Sequence, residues 1–239
     1  NMKWMIASDI HGSAYYCRQL LNAYNREQAD RLLLLGDLLY HGPRNDLPEE
    51  YDPKQVIELL NAKKQHILCV RGNCDAEVDQ MVLQFPIMAD YCAIADGDTL
   101  IYATHGHTYN EQNLPPLHRG DILLHGHTHV PACVPHDTYT CMNPGSVAIP
   151  KAGSWHGYMI MENGRFQWKT HSLNKLFYGS IDAFCIQTIL LKQCHCRAGL
   201  AEAVLYTDVL YRCRCLSRKC LTYSGTEASD DGVFLNGHD

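Results

Sequence analysis

The sequence predicts an α/β protein, a four-layer α-β-β-α sandwich of two mixed sheets flanked by helices. Three observations predict it. The N-terminal part alternates strand and helix signals, which implies mostly parallel strands joined by right-handed crossovers. Later strand signals lie closer together and are separated by turn pairs such as Asn163-Gly164, which implies mainly antiparallel neighbours. Short motifs rich in His, Asp and Asn each follow an apolar or β-branched run, so they belong at strand ends.

Each element has a local reason. Lys3 to Ser8 reads as a strand, and Ser13 to Asn25 as a helix with Ser13 as N-cap and Leu20, Leu21 and Tyr24 on its apolar face. Arg31-Leu32-Leu33-Leu34-Leu35 is a continuous apolar run, as a strand buried on both faces requires. Pro53 to Lys63 is a second helix, with Asp52 as N-cap and Pro53 at its first position. His66 to Arg71 is a third strand, followed by a short helix from Asp75 to Gln84. Further strands are expected at Tyr91–Ala95, Asp98–Thr104, Asp121–His125, Thr138–Met142, Tyr158–Met161 and Arg165–His171, with Asp96-Gly97 and Asn163-Gly164 as hairpin turns.

The strand order stops near Leu173. Residues 1–174 are therefore expected to form one domain, and 175–239 a Cys-rich, poorly ordered extension. Six of the 12 cysteines crowd into that extension, and the others are scattered singly, where a thiol behaves as a small apolar group. Short helices are conceivable at Asp182–Leu191 and Ala201–Tyr211. Cys194-His195-Cys196 and Cys213-Arg214-Cys215 lack the spacing of a zinc knot.

Composition narrows the function. A hydrophobic fraction of 46% supports an ordinary globular core, and a formal charge of −6 argues against an extended nucleic-acid surface or an anionic membrane as partner. No apolar run approaches the ~20 residues of a transmembrane helix. Met2 to Ala7 is too short for a signal-peptide core and is closed by Asp9, so the expected location is the cytoplasm.

The motifs are Ser8-Asp9-Ile10-His11-Gly12, Gly36-Asp37, Gly72-Asn73-Cys74-Asp75, Thr104-His105-Gly106-His107 and Gly126-His127-Thr128-His129. In open α/β sheets, ligands bind outside the carboxyl ends of the strands. Asp9, His11, Asp37, Asn73, His105, His127 and His129 can therefore converge and hold two divalent cations. Imidazole with carboxylate or amide oxygen suits Mn, Fe or Zn better than Ca or Mg; of these Mn²⁺ is taken as the first expectation and Fe or Zn as alternatives, a choice that the donor types alone leave open. Two such cations lower the pKa of a bridging water and hold phosphate oxygens during in-line attack. Singly, each motif has a plainer reading, a turn carrying a satisfied His or Asp. Their conjunction, in this order and after these strands, is what carries the inference.

On these motifs, together with His41-Gly42-Pro43-Arg44-Asn45 and Asn143-Pro144-Gly145-Ser146, residues 2–173 resemble the calcineurin-like metallophosphoesterases, and within them the YfcE-type bacterial phosphodiesterases. The resemblance implies that Asp9, His11 and His129 hold one metal, that Asn73, His105 and His127 hold the other, and that Asp37 bridges them. It implies catalytic roles for Asn73 and His107, and substrate contacts from Asn73, Cys74, His107 and Arg44. The expected activity is hydrolysis of small phosphodiesters through a metal-bridging hydroxide. A phosphomonoesterase with the same metals, or a non-catalytic scaffold of the same fold, is the alternative. A homo-oligomer is compatible with this reading, with His41, Arg44 and Asn45 facing either substrate or a partner subunit. The sequence departs from the wider family at Cys74, where a leaving-group-protonating His is common, and at Tyr40, where an acidic residue would orient that His.

Overall fold

The computed structural model describes residues 2–171. The expected extension at 175–239, with its conceivable helices and cysteine pairs, lies outside the described residues. The described chain forms two five-stranded mixed sheets packed face to face, the α/β sandwich that the sequence pattern implies.

The first sheet is built around β1 (Trp4–Ala7), β2 (Arg31–Leu34) and β3 (Ile67–Cys69), all parallel. Two helices make the crossovers, α1 (Ala14–Glu27) and α2 (Pro53–Asn61). Both begin as expected: the Ser13 hydroxyl accepts from Tyr16 N, and the Asp52 carboxylate accepts from Gln55 N. The leucine run shows why a doubly buried strand lacks alternation. Leu32 and Leu34 face the helices, Leu33 and Leu35 face the second sheet, and all four are buried. Each such burial contributes roughly 1.5–3 kcal/mol.

After β3 the chain crosses to the second sheet, whose order is β4-β5-β6-β8-β7. Its strands are β4 (Tyr91–Asp96), β5 (Thr99–Thr104), β6 (Asp121–Leu124), β7 (Ala132–Pro135) and β8 (Tyr139–Asn143). It then returns to the first sheet with β9 (Gly157–Glu162), antiparallel to β1, and β10 (Arg165–Thr170). Ile6, Val70, Ile101, Leu124, Met142, Met159, Phe166 and Trp168 fill the space between the sheets. The outer faces are covered differently. The helices pack on the first sheet, whereas Tyr109 and Leu117, from the segment joining β5 to β6, lie over Tyr102, Leu123 and Tyr139 of the second.

The structure departs from local expectation in four places. The helix expected over 75–84 shortens to α3 (Glu77–Gln80). The Gln80 side chain bonds the backbone of Leu83, Phe85 and Ile87, so the chain leaves the helix with those groups satisfied while their side chains enter the core. β7 gave no clear signal, because it is a four-residue edge strand ending in Pro135, a residue tolerated only at an edge. The second half is less antiparallel than expected, since β5–β6 and β6–β8 are parallel. The first hairpin turns at Gly97-Asp98, one residue later than read, because Asp96 still pairs with Thr99. The other expected turn stands as read: Asn163 and Gly164 both have positive φ, 53° and 70°. No helix among the described residues is long and apolar enough to cross a membrane.

Candidate metal centre

The carboxyl ends of β1, β2, β3, β5 and β6 open toward one point. Backbone bonds tie the loops that leave them. Asp9 N donates to Gly36 O (3.1 Å), His11 N to Asp37 O (2.9 Å), Gly126 N to His105 O (2.9 Å) and Val147 N to Ser8 O (2.9 Å). The last two matter most, because they hold the β5 and β6 loops together and bring the β8–β9 connection against β1.

The backbone is strained where the candidate ligands sit. Asp9, His11, Asp37, His127 and His129 have φ of 62°, 48°, 56°, 65° and 60°. Non-glycine residues rarely adopt this left-handed region, and such strain concentrates at functional sites. Close approach is equally demanding: a Cβ on Gly72 would collide with the Asp37 carboxylate, and one on Gly126 would collide with the Ser8 hydroxyl. Only glycine lets these loops meet.

The side chains form two adjoining groups. In the first, His129 Nε2 lies 3.3 Å and His11 Nε2 3.5 Å from Asp9 Oδ1, and the two Nε2 atoms are 3.3 Å apart. In the second, His105 Nε2 lies 3.0 Å from Asn73 Oδ1 and 3.2 Å from His127 Nδ1. Asp37 Oδ2 stands between them, 3.7 Å from His11 Nε2 and 3.5 Å from His105 Nε2. Three of the imidazoles are aimed by backbone carbonyls. Nδ1 donates to Tyr40 O from His11 (2.7 Å), to Leu35 O from His105 (2.6 Å) and to Ile149 O from His129 (2.5 Å). That arrangement turns each Nε2 toward the centre, as metal-binding histidines require.

The electrostatics fit a cation. Asp9 is fully buried, and its Oδ1 has no well-formed hydrogen bond despite the nearby imidazoles. Burial acts to raise its pKa, but His11 and His129 outweigh burial and hold it well below the usual range. Burial acts to lower the pKa of His105, yet the carboxylates of Asp37 and Asp9 raise it to about 9. Burial opposes ionisation of Asp37 too, and the His105 contact again wins. A buried, orphaned carboxylate oxygen among inward-facing imidazoles is a donor set that a divalent cation would satisfy.

The other expected site residues differ in how closely they approach this centre. His107 is exposed beside it, its ring centroid 5.4 Å from that of His105, and burial followed by the His105 charge lowers its pKa. Cys74 N donates to Asp37 Oδ1 (2.8 Å), and burial, then Asp37, raises the thiol to about 12. Arg44 is exposed on the 41–50 loop and has no ion pair or hydrogen bond among the described residues. Tyr40 supplies its carbonyl to His11, and its partly exposed ring meets His41 edge-on, with centroids 4.8 Å apart.

Sequence reasoning gave no role to Asp75. Its carboxylate accepts from Asp37 N (2.8 Å), Leu38 N (2.9 Å) and Gly72 N (2.7 Å), clamping the β2 loop to the β3 loop. Position in the Gly-Asn-Cys-Asp motif was the only available signal. The Asn143–Ser146 segment, one of those that carry the resemblance, supports the centre directly: Asn143 Nδ2 donates to Gly126 O (2.7 Å) and Ser146 Oγ to Asp9 O (3.0 Å).

A two-sheet sandwich with Asp, Asn and His donors gathered at adjoining strand ends defines a phosphoesterase of the calcineurin-like class. The chain belongs to the calcineurin-like phosphoesterase superfamily, whose domain matches residues 2–164. It is 45% identical over 162 residues to phosphodiesterase YfcE of Escherichia coli strain K12, an alignment covering 68% of this chain and 88% of that protein. The solved structure of the E. coli phosphoesterase YfcE superposes with a TM-score of 0.72 at 41% identity, over 75% of this chain and all of that one. An archaeal phosphodiesterase shares the fold at 20% identity and a TM-score of 0.51, over 70% of this chain and 99% of its own.

Proposed function

We propose that this phosphoric ester hydrolase is a phosphodiesterase acting on small phosphodiesters with the aid of two divalent cations. The observation that carries the proposal is the place of Asp37, whose Oδ2 lies within 3.7 Å of one Nε2 from each histidine group. Asp9, His11 and His129 would hold one ion and Asn73, His105 and His127 the other, with Asp37 shared. When bound, such a pair supplies an acidified water and charge to hold phosphate oxygens, and the mixed N,O donors suit Mn²⁺, with Fe or Zn as alternatives.

The chain's own groups do the rest. Carbonyls of Tyr40, Leu35 and Ile149 fix the imidazoles, so little reorganisation is needed. The exposed Asn73 amide and His107 ring would hydrogen-bond phosphate oxygens, and Arg44, exposed on the 41–50 loop, would offer a guanidinium to the same charge. Cys74 stands where a proton donor would assist the leaving group; its thiol, pushed up to about 12, is a poor one. The site thus favours esters that depart unaided. The name of the 45% identical relative, a phosphodiesterase, supports the diester over the monoester reading.

The test is turnover of Mn²⁺-reconstituted protein on matched aryl diesters and monoesters. Diester turnover should exceed monoester turnover. The reverse order would overturn the substrate class, and no turnover of either would overturn the activity.

A further inference from the structure

Behind the loop that carries His127 lies a buried pair to which the metal-centre reading gives no task. His125 and Cys141 are 7% and 2% exposed. His125 directly follows β6, its N–H donating to Met142 O (2.9 Å), and Cys141 lies on the neighbouring strand β8. His125 Nε2 is 3.2 Å from Cys141 Sγ, and its Nδ1 is 3.0 Å from Gly126 O. The hydrogens available fix which of these atoms donates. Asn143 Oδ1 accepts from Gly145 N (2.8 Å), so the amide nitrogen is the end that faces Gly126. Its two hydrogens go to Gly126 O (2.7 Å) and Thr128 Oγ1 (3.1 Å), and none is left for His125 Nδ1 at 3.4 Å. A bare Nδ1 would set a lone pair against the Gly126 carbonyl. Nδ1 therefore carries the proton and donates to Gly126 O, and Nε2 accepts from the S–H of Cys141. Burial, which pushes that thiol up to about 12, keeps the hydrogen on sulfur.

We infer that Cys141 and His125 are positioning residues for His127: the Cys141 thiol sets the His125 tautomer, and the His125 ring, so set, holds the Gly126 carbonyl. The inference rests on the metal-centre reading above, in which His127 is a ligand of the Asn73, His105 and His127 group. Neither Cys141 nor His125 is among the candidate ligands. The Gly126 peptide is what anchors His127. Its carbonyl also accepts from Thr128 N (2.7 Å), its N–H donates to His105 O (2.9 Å), and the following N–H, that of His127, donates to Asp9 Oδ2 (3.2 Å). His127 itself is held at φ 65°, a strained conformation that persists only when its surroundings enforce it. The same ring braces the β5 loop, since a Cβ on Gly106 would stand 2.9 Å from His125 Nδ1. Without the thiol, Nε2 becomes a buried acceptor with no donor. The proton then has less reason to stay on Nδ1, and the opposite tautomer turns a lone pair on Gly126 O and loosens the peptide that carries His127.

The experiment uses the full chain, with Mn²⁺ alone as the probe of the centre. In metal-free parent protein, long-range proton–nitrogen correlation NMR should show the His125 ring protonated at Nδ1; its signal is identified by its absence from His125→Phe. Cys141→Ala should move the ring toward the Nε2–H form, and Cys141→Ser, which keeps a hydrogen-bond donor, should restore Nδ1–H. Mn²⁺ titration is the second readout. Cys141→Ala should weaken one of two equivalents by about 10–100-fold and leave the other near its parent affinity, and Cys141→Ser should recover most of that loss. A side chain that served packing alone would lower the melting temperature without separating the two equivalents. A parent His125 protonated at Nε2 would overturn the inference. Unchanged binding of both equivalents in Cys141→Ala would do the same, as would equal weakening of both in the Ala and Ser variants. If the parent binds two equivalents and turns over diesters while these effects are missing, this inference falls alone. If the parent binds fewer than two, the two-cation reading falls and the positioning role falls with it.

Discussion

Asp37 stands between the two histidine groups, 3.7 Å from His11 Nε2 and 3.5 Å from His105 Nε2. A carboxylate between two cations about 3.5–4 Å apart offsets their repulsion. Asp37→Ala should therefore reduce bound Mn²⁺ from two equivalents to one or fewer and lower diester turnover sharply, read by metal analysis of reconstituted protein; two tightly held equivalents in the variant would contradict the shared-ligand role. His105 supplies the pH dependence. The Asp37 and Asp9 carboxylates raise its pKa to about 9, so a cation held by His105 would have to displace a proton at neutral pH. By linkage, the stability gained from that charged contact is full below the unfolded value near 6.5 and is lost as pH rises through about 9. Metal-free protein should lose melting temperature across that window, and Mn²⁺ affinity should rise there. Calorimetry in buffers of different ionisation enthalpy should detect about one proton released per chain from this residue. On the proposed reading, Cys74 would govern leaving-group dependence. General-acid help is typically worth 10²–10⁴-fold, and on this reading neither Tyr40 nor the Cys74 thiol, pushed up to about 12, would supply it. Rates should fall steeply as leaving-group pKa rises, and Cys74→His should speed poor leaving groups more than good ones. A flat plot for the parent would assign the proton to another residue, with His107 the first to test.

The elements that matter are the loops, and the strands serve to aim them. Asp75 joins the β2 and β3 loops through three backbone N–H groups. Replacing it with Asn puts an NH₂ against at least one of those donors. A buried donor left unpaired costs about 1–3 kcal/mol, and hydrogen bonds to a charged group are worth about 1.5–3 kcal/mol each. Asp75→Asn should therefore destabilise the protein by about 2–4 kcal/mol and weaken metal binding, because Asp37 and Asn73 sit on the loops it joins. Denaturant unfolding and Mn²⁺ titration check both effects. A stable variant with unchanged affinity would reduce Asp75 to a bystander.

At the scale of the whole molecule, the two sheets close around a continuous apolar interior within residues 2–171, and every candidate metal ligand lies inside that range. The E. coli YfcE structure is matched over its entire length by 75% of this chain. A chain ending after residue 175 is accordingly expected to fold and keep its diester turnover. Loss of soluble protein or of turnover on truncation would make the C-terminal segment part of the domain.

Much was legible in the sequence because the signals are local. Ser13 and Asp52 cap their helices as their positions demand, and Arg31 to Leu35 is apolar throughout because both faces of β2 are covered. The donor types were legible for the same reason, since Asp, His and Asn after apolar runs fall at strand ends. What the sequence could not decide was anything set by a distant partner. The edge strand β7 exists because β8 is beside it, and α3 stops at Gln80 because a side chain takes over the backbone bonds of the following residues. Asp75 looks like any turn aspartate until the β2 loop is placed against it. The sequence by itself determined the fold class and the chemical types of the candidate donors, through periodicity and residue chemistry. Only the tertiary structure decided that Asp37 stands between two histidine groups, that Asp9 Oδ1 is buried without a good partner, and that the Cys141 thiol meets the His125 ring. Distances between residues far apart in the chain are fixed by the packing of the two sheets and the strained loops at their ends.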